Sequence, residues 1–346
     1  MKKGRNIVEL AEELKRQQET KRDFIADTRA LKMTDDASSM EGLNGHRCDI
    51  RTLAHEQIGQ RLEIPKKYYD KMREESPGLL AHNVNHWFVT APERRMVRTI
   101  DGHVRAFLSE RYRPLDNLDM AEAILPSIMG MKCEIVSSEI TDRRLYIKAV
   151  TDKLESEVRP GDIVQAGIVI SNSEVGCGSV KVEPLIFRLV CSNGLIIPDH
   201  SLRKYHVGRE YGGDDVQEFF RDETREADDK AFWLKVRDVV SGTLSSDIFL
   251  KIVNRMREAS GRKIEADPVK VVEVTRARLG LTEDERGQVL RHLIISGDLT
   301  AYGLSSAITR TSQDIADYER ATELERLGSE VITLPRKEWE VIANVS

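Results

Sequence analysis

Apolar positions crowd most densely between Pro160 and Pro198. Residues 163–170 are a nearly unbroken apolar run rich in β-branched side chains, and residues 180–190 are a second. Between them lies Glu174-Val175-Gly176-Cys177-Gly178, whose glycines permit the positive φ of a tight reversal. Two such runs around a glycine-bearing connection predict a hairpin. Continuous rather than alternating hydrophobicity predicts strands covered on both faces. The fold class that follows is α+β: a central, mostly antiparallel sheet of hairpins, helices packed around it, and a helical C-terminal region.

Elsewhere the pattern is more mixed. Residues 1–32 read as a basic amphipathic helix with Ile7, Leu10 and Leu14 on one stripe. Residues 33–46 are polar and turn-rich and read as a loop, so 1–46 is an N-terminal arm. Short helices are expected over 55–61, 66–75 and 79–87, the second started by Pro65. Asp101-Gly102 between alternating runs predicts a hairpin over 96–108. A helix over 115–129 and a strand pair, 133–138 with 143–150, precede the central hairpin. A polar loop over 200–213 ends the α+β core at 47–213. The helical region, 214–346, carries helices over 214–241, 245–259, 267–278, one from Thr282, and 305–325. A strand-like tail over 331–334 closes the fold.

The chain has 346 residues, 40% hydrophobic and 32% charged, with a net charge of −5. That charge gives no global case for nucleic acid, so any such case rests on local patches. Cys48, Cys133, Cys177 and Cys191 form no CxxC pair and read as reduced thiols. No apolar run reaches the roughly 18 residues of a membrane span. A soluble cytoplasmic protein without a membrane partner is expected.

Candidate chemistry is sparse. GxxxxGK[ST], GxGxxG and GxSxG are absent from the sequence, so no catalytic residue and no cofactor are nominated. His82 and His86 are spaced for a shared metal, but Asn83 stands where a metalloprotease needs glutamate. A metal-dependent enzyme built on this pair, with an acid such as Glu74, ranks third among the functional readings. The most suggestive grouping is basic and aromatic. Arg105, Phe107, Arg111, Tyr112 and Arg113 come from one strand and its exit; Arg144, Tyr146 and Lys148 come from one face of another. If the two strands share a sheet, they offer cations for phosphates and rings for base stacking, worth about 1–3 kcal/mol per base. Arg203 and Lys204 of the polar loop join this nucleic-acid-binding set.

Three stretches, VRAFLSERYRPLDN (104–117), ISNSEVGCGSVKVEPLIFRLVCSNGLI (170–196) and ITRTSQDIADYERATELERLG (308–328), resemble the phage- and plasmid-borne family catalogued as domain of unknown function 932. The resemblance implies a mobile-element origin and a role in DNA transactions or host takeover; it brings no catalytic residues. The order of hairpins then helices is also compatible, by fold-level analogy, with Rad52-like annealing proteins, which form rings. The first functional expectation is therefore a non-enzymatic single-stranded DNA-binding or annealing factor, acting as a homo-oligomer. The alternative is an accessory or anti-defence factor that docks on a host or phage protein.

Overall fold

The densest apolar run forms β9 (Asp162–Asn172). Its side chains alternate between two cores: Ile168 and Ile170 enter one, Val169 the other, and all three are fully buried. Each burial stabilises the fold by about 1.5–3 kcal/mol, which is why a strand with two apolar faces sits at the middle of its sheet. This computed structural model describes residues 1–112, 115–198 and 222–345, with 222–229 as backbone alone.

The fold is α+β with two sheets rather than one. Five antiparallel strands lie in the order β11 (Asn193–Ile196), β10 (Lys181–Arg188), β9, β8 (Leu145–Arg159) and β7 (Glu134–Ile140). The second sheet has six strands in the order β1 (Arg22–Asp27), β5 (Arg94–Ile100), β6 (His103–Ser109), β4 (His46–Ile50), β3 (Ser39–Leu43) and β2 (Lys32–Met33). β4 and β6 run parallel; the other pairs are antiparallel. The Asp101-Gly102 hairpin forms as expected, with φ of 52° and 74° at its two turn residues.

Four strands thus arise within residues 22–50, although an arm and a loop were expected up to residue 46. Their polar sequences carry little strand signal, and tertiary pairing decides the outcome. Gly42 makes the bulge between β3 and β4 possible: its φ is 95°, and a Cβ there would stand 1.8 Å from the Ala30 carbonyl oxygen. α2 (Thr52–Arg61), α3 (Lys66–Glu75) and α4 (Pro77–Thr90) pack on this sheet through Ile58, Leu80, Val84 and Phe88.

α1 (Ile7–Thr20) starts at an Asn6–Glu9 capping box and buries Leu10 and Leu14 against α5 (Asn117–Gly130) and the five-stranded sheet. α6 (Asp222–Thr243) packs beside α5 through Phe232, Val236 and Val240. The helical region continues with α7 (Ser246–Ser260), α8 (Pro268–Leu279) and α9 (Glu283–Ser296), the last opened by the Thr282–Glu285 capping box. The expected helix over 305–325 is two helices, α10 (Ala301–Thr311) and α11 (Tyr318–Thr333), because Asp317 caps a new start at the Arg320 N–H. The strand-like 331–334 segment is the end of α11, followed by α12 (Arg336–Ala343). Its β-branched Val331 and Ile332 are held helical by packing into the same core as Leu324 and Trp339.

Candidate functional site

Two places concentrate chemistry. The first is a buried polar junction around the loop after β9, where the two sheets meet. Glu174 is 4% exposed. Its Oε1 accepts from the Arg105 guanidinium of β6, and its Oε2 accepts from the Asn117 backbone N–H at 2.9 Å. That N–H opens α5, so the carboxylate also meets the positive end of the helix dipole. Arg98 of β5 donates at 2.8 Å to Asp23, at 2.8 Å to Asp116 and at 2.7 Å to the Glu174 carbonyl oxygen. Lys21 adds a further bond to Asp116. Burial works to raise the Asp116 carboxyl, but the Arg98 and Lys21 charges outweigh it and hold it below its ordinary value. Tyr112 donates to the Ser173 carbonyl oxygen at 3.2 Å and accepts from the Gly176 N–H at 3.1 Å. Every one of these groups is committed to a protein partner, so the junction is a clamp between the sheets.

Arg105 and Tyr112 of the expected nucleic-acid set belong to this junction, and most of its other described members are buried or half-buried elsewhere. β6 and β8 lie in different sheets, so Arg105 and Phe107 do not share a surface with Tyr146 and Lys148. Phe107 is buried and stacks on Phe88 with ring centroids 5.7 Å apart. Tyr146 is buried beside Tyr318 at 5.7 Å. Lys148 is wholly buried and bonded to Glu325 at 2.7 Å. Arg144 is half-buried and donates to the Cys177 carbonyl oxygen. Arg111 is exposed. Arg113, Arg203 and Lys204 lie outside the described residues. Burial pushes the Cys177 thiol up despite the nearby Arg143 and Arg144, the opposite of an activated nucleophile. His82 and His86 are exposed on α4, with His86 packed edge-on against Trp87. Among the described residues no group of three His, Cys, Asp or Glu side chains is arranged to hold a metal.

The second place is a groove of about 1050 Å³ between β10, α7 and α11, with Arg278 of α8 and Glu338 of α12 also in its lining. Val180, Val182 and Pro184 supply its β10 side, Ile248 and Ile252 its α7 side, and Leu327 its α11 side. On the groove's α11 side Arg326 donates to both carboxylate oxygens of Glu183 of β10 through Nε and Nη2, at 2.6–3.1 Å. Glu323 is engaged by Arg320 and Glu338 by Arg278. Lys251 and Arg255, exposed on α7, make no ion pair among the described residues. Lys251 and Arg255, without ion pairs among the described residues, set this groove apart; Lys181 of β10 lines it as well. Their signal was present in the sequence: Ile248, Lys251, Ile252 and Arg255 repeat at helical spacing, and were read only as part of an amphipathic helix.

Residues 105–233 match the model of the family described as Domain of unknown function (DUF932). The matched span runs from β6 to the middle of α6. It takes in Arg105, Glu174 and the β10 side of the groove, and it stops short of α7 and of the 308–328 block. No curated protein and no solved structure matches the chain significantly.

Proposed function

We propose that this protein is a non-catalytic binding protein that takes a segment of a partner protein into the groove between β10, α7 and α11. The carrying observation is the groove itself: about 1050 Å³, apolar mainly along β10 and α7, with Lys251 and Arg255 on its rim making no ion pair among the described residues. It is at the upper end of small-molecule pocket volumes, and its charged rim with an apolar floor is the anatomy of a protein-docking site. The mobile-element origin implied by the family resemblance agrees with a factor that docks on a host protein. Single-stranded DNA is the competing ligand; it would use the same two cations, although among the described residues no aromatic side chain lines the groove for base stacking.

A photo-crosslinking amino acid placed at Ile248, inside the groove, tests this against the same group at Leu250, exposed on the same helix but not lining the groove. A nuclease-resistant protein adduct from position 248 and not from 250 is the expected result. An adduct that nuclease removes transfers the groove to single-stranded DNA, and equal labelling at both positions overturns the assignment.

A further inference from the structure

Resting on that binding role, we infer that the groove's occupant is an amphipathic α-helix with acidic residues one turn apart on one flank. α7 lines the groove with Ile248, Lys251, Ile252 and Arg255, spaced i, i+3, i+4, i+7. α11 does the same with Glu323, Arg326, Leu327 and Glu330. Two helices that each present such a row to one space make ridges and grooves suited to a third helix. The space is also the right size: about 1050 Å³, filled by a helix about 10–12 Å across, holds roughly two turns.

The charges set the ligand's chemistry. Lys251 and Arg255 are one turn apart, a spacing matched by carboxylates at i and i+4 on a helix laid alongside. The Arg326–Glu183 pair neutralises itself and orients nothing. Glu330 is exposed on α11 and makes no ion pair among the described residues, so it accepts a basic residue from the ligand's other flank. The partner is therefore apolar along one stripe, acidic on the α7 side and basic on the α11 side.

The test uses the full chain and three fluorescein-labelled 16-residue peptides. The first carries a leucine stripe with glutamates at i, i+4 on one flank and lysines on the other. The second replaces the glutamates with lysines, so that both flanks are basic in either direction of binding. The third is the first with a central proline, which breaks the helix. Anisotropy should show binding of the first peptide, weakened about tenfold by the Lys251→Glu/Arg255→Glu variant and by added salt. The second peptide should bind that variant better than it binds the natural chain. If the proline peptide binds as tightly as the first, or the replacement makes no difference, the acidic helix is wrong while segment binding stands. If no peptide binds, or binding survives an Ile248→Arg variant that fills the groove, both the acidic helix and the groove's binding role fail.

Discussion

Lys148 Nζ of β8 lies 2.7 Å from Glu325 Oε2 of α11, and neither side chain reaches solvent. The ammonium also stands 4.8 Å from the centre of the Tyr318 ring, and Glu325 Oε1 accepts from Ser312 Oγ at 3.3 Å. Burial depresses the Lys148 ammonium, and the Glu325 charge opposes that shift. The pair ties the five-stranded sheet to the helical region.

Breaking this pair on one side should cost more than removing it entirely. Lys148→Met leaves a buried carboxylate without its counter-charge, a loss of about 3–5 kcal/mol. Lys148→Met combined with Glu325→Met replaces both charges with apolar volume and should recover most of that loss. Urea denaturation of the two variants checks the order. A double variant less stable than the single one would contradict a simple ion-pair account.

The Arg105–Glu174 contact carries a second prediction, and it separates structure from ligand binding. Arg105 and Glu174 are both buried at the sheet junction. Arg105→Met leaves the Glu174 carboxylate with the Asn117 N–H alone, and should cost about 3–5 kcal/mol. Any fall in affinity for a single-stranded oligonucleotide should then track the unfolded fraction. A fully folded Arg105→Met chain with selectively lost oligonucleotide affinity would return this residue to a binding role.

His55 sets a pH dependence. It is buried on α2, with Nδ1 2.8 Å from the Tyr69 hydroxyl oxygen. Burial, aided by the nearby Arg73 charge, pushes its pKa from 6.5 down to about 4. Between those values the unfolded chain binds a proton that the folded chain refuses. Stability is therefore fully present above about pH 6.5 and falls as the pH drops toward 4, by about 3 kcal/mol for this group. Urea midpoints at pH 7.5 and pH 5 measure the slope. His55→Asn, whose amide reaches the Nδ1 position, should flatten it.

Elements with strong local signals were legible: the two-faced run of β9, the Asp101-Gly102 turn, and the capping box at Thr282–Glu285 all formed where the residues dictated. β1 and β3 were not, because Arg-Asp-Phe-Ile-Ala-Asp and Ser-Met-Glu-Gly-Leu become strands only when β5 and β4 pair with them. The surroundings of the candidate nucleic-acid set were not legible for a related reason. Alternation places Arg105 and Lys148 on a defined strand face, but it does not say whether that face meets solvent or a buried glutamate. Both meet glutamates that are distant in sequence, Glu174 and Glu325, and only the fold brings these together.

The cations of the groove should behave oppositely to those of the interior. Lys251 and Arg255 sit four apart on α7, both exposed and without ion pairs among the described residues. Like charges at that spacing repel by about 0.2–0.5 kcal/mol, and alanine is the better helix former. Lys251→Ala with Arg255→Ala should therefore leave stability unchanged or raise it by a few tenths of a kcal/mol, with the gain shrinking as salt screens the repulsion. Chemical denaturation at low and high salt measures this directly. A loss above about 1 kcal/mol would place the pair among the structural contacts. An unchanged or more stable double variant that no longer binds the acidic helical peptide would mean that these two charges are kept for a ligand at the expense of the fold.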